Sequence, residues 1–167
     1  MLTKSKKRNL LVAFIGWMTF LVANPLFAHE PYGLGFMCHF LDMETYTKAE
    51  NGNSEAQYQV GNSLDYCEPR DPEGATKYFL RAAQQGHIQS ILRMGRRYLF
   101  GFGVQQSDQE AYFWLSVGKR LLSSSPRLSR QLPDIEYELS LLERDIPPHE
   151  AEQITARAKA WSASTSH

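Results

Sequence analysis

Cysteine is nearly missing. Cys38 and Cys67 are the only two in 167 residues, and the five histidines, His29, His39, His87, His149 and His167, are scattered. No group of these residues has the paired spacing of a ligand set, so no metal is expected. The G-x-S-x-G, H-E-x-x-H, P-loop and dinucleotide fingerprints are absent as well, which leaves no catalytic residue and no cofactor to assign. Cys38 and His39 do not form a nucleophile and base, because adjacent residues on a helix diverge. The chain also lacks an excess of basic residues, with 18 Lys and Arg against 18 Asp and Glu. Lys4, Lys6, Lys7 and Arg8 lie in the first 28 residues, which hold no acid, so the remainder carries 14 bases against 18 acids. That mildly acidic balance excludes nucleic acid, and an anionic membrane surface, as the expected partner.

A long apolar run is lacking too. LLVAFIGWMTFLVA, from Leu10 to Ala23, falls short of the ~20 residues that cross a bilayer. With its basic start and the small residue at Ala28 it reads as a secretory signal over 1–28. Cleavage is expected near Ala28; a cut after Ala23 stays open, since Leu26 is a poor residue three before the site. The mature chain is then expected in the periplasm or outside the cell, without membrane association. An uncleaved inner-membrane anchor is the alternative. No cysteine follows the run, which argues against a lipoprotein. In an oxidising compartment Cys38 and Cys67 read as one disulfide, adding about 3 kcal/mol in the chain-entropy model. Two buried thiols are the other reading.

What the chain does have is internal similarity. At a shift of 34 residues, AENGNSEAQYQVGNSLDYC (Ala49 to Cys67) overlays the stretch that contains AAQQGHIQSILRMGRRYLF: Gly52 falls on Gly86, Gly61 on Gly95 and Leu64 on Tyr98. Further on, Ala75 pairs with Ala111, Tyr78 with Trp114 and Ala82 with Gly118, after a loop two residues longer in the second copy. A period in the thirties with small residues at fixed places belongs to arrays of helical hairpins. Ala56, Val60, Gly61 and Leu64 form a helical stripe after a cap at Asn53 or Ser54. Asp71 and Pro72 open a second helix, with Ala75, Tyr78, Phe79 and Ala82 inward and Gly86 as its stop. The second copy predicts helices over about 87–99 and 108–122, the latter capped by Ser107 or Asp108. Helices crossing closely need positions without bulk, which Gly61, Gly95, Ala82, Ala111 and Gly118 provide. Gly101 and Gly103 suit the left-handed backbone of a turn, with Val104 tucked beneath it.

GRRYLFGFGVQQSDQEAYFWLSVG, residues 95–118, resembles the Sel-one-like repeat, a relative of the tetratricopeptide repeat. The pattern is small-x-x-x-leucine-glycine-x-x-tyrosine, glycine-x-glycine-valine, an aspartate, and alanine-x-x-tryptophan. The second copy follows it with Met94 in place of leucine; the first has CEPRDPEG instead of the glycine loop and Tyr78 instead of tryptophan. Cys67 lies near the missing glycine, which suggests a crosslink in place of loop packing. The resemblance implies an all-α fold, a short right-handed α/α solenoid of antiparallel helix hairpins with capping helices. The expected segments are an N-terminal piece and lone helix over 29–52, two repeats over 53–122, a capping hairpin over 123–163 and a frayed tail. The lone helix, from Phe36, turns Phe40, Met43 and Tyr46 or Thr47 inward. In the cap, Leu128, Leu132, Ile135, Leu139, Leu142 and Ile146 repeat at helical steps interrupted by Pro133, and Ala151, Ile154, Ala158 and Trp161 share a face after Pro147 and Pro148.

In tetratricopeptide-like geometry the first helix of each pair lines a concave groove. The resemblance implies that Glu55, Tyr58, Asn62 and Asp65 from one copy, and Gln89, Leu92, Arg96 and Leu99 from the other, point into it. Arginine and tyrosine suit a protein or peptide guest in the cell envelope. Arg93, Arg96 and Arg97 read as a structural charge network with Asp65 and Glu68, and Trp114 and Trp161 as core plugs. The expected role is a non-catalytic scaffold. The resemblance also carries a periplasmic immunity or inhibitor protein, and more remotely a cell-wall-related hydrolase; pairing with a second copy of the chain stays open.

Overall fold

The computed structural model describes residues 41–125 and 129–164. These lie within one compact unit, Phe36–His167; the other unit, Met1–Gly35, with the signal-like segment, is outside the described residues, as are Phe36, Cys38, Phe40 and Leu128. Seven α-helices are present among the described residues, and no strand. They are α1 (Met43–Glu50), α2 (Ser54–Tyr66), α3 (Pro72–Gln84), α4 (Ile88–Phe100), α5 (Asp108–Ser123), α6 (Leu132–Leu142) and α7 (Pro148–Ala160).

Successive helices pack in chain order from α1 to α5, so the expected all-α solenoid of hairpins is what forms. The two copies are built alike down to single bonds. Asn53 caps α2 through Oδ1, accepting from the Ala56 N–H at 2.8 Å, and His87 caps α4 through Nδ1, accepting from the Ser90 N–H at 3.3 Å. Asp71 and Ser107 cap the second helices by accepting from the Gly74 and Glu110 N–H groups. The Asp71 N–H reaches the Leu64 carbonyl at 2.8 Å, and the Ser107 N–H reaches the Tyr98 carbonyl at 3.0 Å. One closing bond therefore survives a two-residue difference in loop length, because both loops must return the chain to the same place on the first helix.

The loops themselves diverge. Gly101 ends α4 in the left-handed region at φ 68°, whereas Cys67 ends α2 in extended backbone at φ −96°. Gly103, at φ 67°, lies against the Pro72 carbonyl so closely that a Cβ would overlap it. Only glycine combines that φ with that proximity. Val104 is half-buried; Thr76 Oγ1 anchors the loop by donating to the Gly103 carbonyl at 3.1 Å.

Close helix crossings fall where the small residues predict them. A Cβ on Gly61 would stand 2.7 Å from the Phe79 ring, one on Gly95 2.7 Å from Leu115, and one on Gly118 2.5 Å from Leu92. Ala82 and Ala111 are fully buried. The main core runs from Ala75 and Phe79 through Ile91, Met94, Trp114 and Leu115 to Ile135, Leu142 and Ile154. A smaller cluster joins Ala49, Ala56 and Val60 beneath Tyr46 and Tyr78.

Two regions depart from expectation. Helix α1 starts at Met43, capped by Asp42, and Met43 is 79% exposed with Thr47 exposed beside it; Ala49 and half-buried Tyr46 make the contact instead. The helix is about two turns long. At the other end, residues 161–164 return along the array rather than trailing away. The Ser164 N–H donates to the Gln84 carbonyl at 2.8 Å, Arg120 donates to the Trp161 carbonyl at 2.9 Å, and the Trp161 ring meets Trp114 edge-on at 6.2 Å.

Candidate functional site

The first helices, α2, α4 and α6, are linked by side-chain bonds that cross from one to the next. Glu55 on α2 meets His87 Nε2 at 3.1 Å, and the His87 ring lies 4.8 Å from that of Tyr58. Two turns further along α2, Tyr66 accepts a hydrogen bond from Arg93 Nη1 at 2.9 Å, with the guanidinium 5.6 Å from the ring centre. Burial is the largest single influence on Arg93 and opposes its charge, but the hydrogen bonds and charge interactions with Tyr66 and Tyr58 together outweigh it and raise the pKa above the ordinary arginine value. Arg96 donates to Glu138 on α6 at 2.8 Å. The result is a strip of aromatic and charged groups, half-buried at Tyr58, Tyr66, Gln89, Arg93 and Arg96 and exposed at Glu55.

Of the eight residues expected on this surface, Glu55, Tyr58, Gln89 and Arg96 are on it. Leu99 is half-buried and packs on the core. Asn62, Asp65 and Leu92 are interior, at 6%, 5% and 2% exposure. Contrary to the expectation that they line the groove, their side chains turn toward the packed side of their helices. Leu92 fills the space above Gly118. Asp65 accepts from Arg97 Nη1 at 2.6 Å, with both side chains 4% exposed. The Asn62 Oδ1 and one oxygen each of Asp65 and Glu138 are buried without a partner among the described residues.

The three arginines of α4 point in three directions. Arg93 goes to Tyr66, Arg96 to Glu138 and Arg97 to Asp65, Thr76 Oγ1 and the Pro72 carbonyl. The charge network is thus as read for Asp65. Glu68, expected to share it, pairs with Arg70 at 3.1 Å. Tyr66 and Arg93 were not placed on the surface by sequence. Spacing along α2 does not single out Tyr66, because the four-residue step from Tyr58 to Tyr66 passes through Asn62, which is interior.

Among the described residues no cluster of His, Cys, Asp and Glu could hold a metal, and no helix is long and apolar enough to cross a membrane. The Sel1 repeat model matches residues 54–87 and 88–117, which are the two hairpins α2–α3 and α4–α5. The chain carries two Sel1 repeats. Among solved structures it is similar to a protective antigen present in uropathogenic Escherichia coli strains that displays an SLR fold, with a TM-score of 0.56 and 18% identity. The match covers 74% of this chain and 28% of that one, so the chain spans under a third of the antigen's length. No curated protein matches in sequence. Sel1 repeats form helical scaffolds that are typically non-catalytic and generally bind protein partners.

Proposed function

We propose that this Sel1 repeat protein is an exported adaptor that holds a protein or peptide guest on the concave strip formed by α2, α4 and α6. The observation that supports it is Arg93, kept charged and half-buried against Tyr66 beside Tyr58. Tyrosine and arginine held rigid at a partly dry surface are the side chains that contribute most to protein interfaces. Replacing Tyr58, Arg93 and Arg96 together with alanine tests the strip. Envelope proteins crosslinked by the wild-type chain should be lost from the variant while its helical circular dichroism is kept. Retention of the same partners by a folded variant rejects the strip.

Export rests on the 1–28 pattern, and the crosslink on Cys67 not being free. We expect the exported protein to begin near His29 and to show no alkylatable thiol until reduced, both read by mass spectrometry.

A further inference from the structure

Helices α6 and α7 each pack on α5 far more closely than on one another. Their hairpin is splayed, with buried Ile146 at its vertex, and between its arms lies a cleft of about 510 Å³ over α5. We propose that this cleft is a second binding site, one that takes a short acidic peptide segment of a partner. It is a different surface from the strip on the first helices, and neither reading depends on the other.

The charges of the lining decide the occupant. Glu136 pairs with Lys119 at 3.1 Å, and Glu143 accepts from the Tyr112 hydroxyl at 2.9 Å, so both carboxylates are engaged. Lys159, also on the wall, has no acidic partner among the described residues, and Arg120 bonds only the Trp161 carbonyl. Two cations are therefore left over at this one place, on a chain that beyond its first 28 residues carries 14 bases against 18 acids. Helix ends attract such cations, but both side chains are exposed and can turn to a guest. A carboxylate between Lys159 and Arg120 would meet opposite charge on two sides.

The remaining wall suits a peptide. Leu139 and Ala158 form an apolar floor for a neighbouring aliphatic side chain, and the Ser116 hydroxyl has no partner among the described residues. Glu143, already accepting from tyrosine, has further lone pairs for a backbone N–H. Nucleic acid fits poorly, because Glu136 and Glu143 on the α6 arm would face a phosphate backbone. The volume is that of a pocket for a few residues rather than for a helix.

Selection of random linear heptapeptides on the exported full chain tests the site. Enriched peptides should carry Asp or Glu, bind more weakly as salt rises, and lose tenfold or more in affinity to the Lys159→Glu variant. That residue is exposed, so the variant should keep the fold, checked by its melting curve. The same peptides should bind the Tyr58, Arg93 and Arg96 alanine variant with unchanged affinity. No enrichment, enrichment without acidic residues, or binding indifferent to Lys159→Glu would overturn the cleft. Peptides lost only from the strip variant would overturn it too, while supporting the adaptor surface.

Discussion

Arg97 is the residue on which the two repeats are tied. It lies in α4, yet its guanidinium reaches Asp65 in α2, Thr76 and Pro72 in α3, and stacks 5.2 Å from the Phe79 ring. Removing one side of a buried pair leaves the other charge unpaired, which costs about 3–5 kcal/mol. Arg97→Ala should therefore destabilise by that amount in urea unfolding, and the double variant Arg97→Met with Asp65→Leu by less. An equal loss in both would show that packing, not charge, holds the site. A second residue-scale effect depends on pH. The Tyr78 hydroxyl and then Arg81 hold the Glu50 carboxyl below its ordinary range. A lowered folded value means that the contribution is present above the unfolded pKa and is lost as pH falls through the folded one. Tyr78→Phe should move the Glu50 titration upward, read by carbon NMR of its carboxylate; an unmoved curve would remove Tyr78 as the cause.

At the scale of helices, the crossings depend on what each missing methyl would strike. At Gly61 it strikes a rigid aromatic ring, and at Gly95 the branch point and backbone nitrogen of Leu115; at Gly118 it strikes the tip of Leu92, which can rotate away. Alanine would gain up to about 1 kcal/mol in helix propensity, against about 1–3 kcal/mol of overpacking. Gly61→Ala and Gly95→Ala should lower stability, with Gly118→Ala close to neutral; an indifferent Gly95→Ala would show that α4 and α5 separate without cost. The returning segment is a second element-level prediction. An edge-on aromatic pair contributes about 0.5–1.5 kcal/mol beyond its area. Truncation after Ala160 removes the Trp161 contact and both Ser164 bonds to Gln84. It should lower the melting temperature by several degrees, and Trp161→Ala should reproduce most of that loss.

For the molecule as a whole, each hairpin covers its neighbour, as in any linear array. The splayed final pair buries Ile135, Leu139, Leu142, Ile146 and Ile154 against the face of α5 that would otherwise meet water. A chain ending at Ser124 should still contain both repeats but bind a hydrophobic dye and aggregate. A monomeric, dye-silent product of that length would mean that the repeats stand alone. The same splay that covers the core holds the cleft open, so stability and the second site share one geometry.

The hairpins, caps and glycine crossings were legible because each is local: spacing of 3.6, a capping side chain three residues from its N–H, and a missing Cβ where the two helices of a repeat cross. The repeat offset aligned Leu64 with Tyr98, whose carbonyls the structure shows accepting the closing bond of each loop. The binding surface was less legible. Asn62 and Asp65 occupy the same helix as Tyr58 and Tyr66, and only a neighbouring helix decides which stripe is covered. Arg93, Arg96 and Arg97 are chemically alike in the sequence; their three fates depend on which acid or phenol each helix brings within reach. The sequence alone set the four helices of the two repeats and their caps, because those follow from contacts a few residues apart, whereas the start of α1 at Met43 did not follow from it. The tertiary structure alone settled which polar side chains are interior and that the last hairpin stands open, since both depend on groups far apart along the chain.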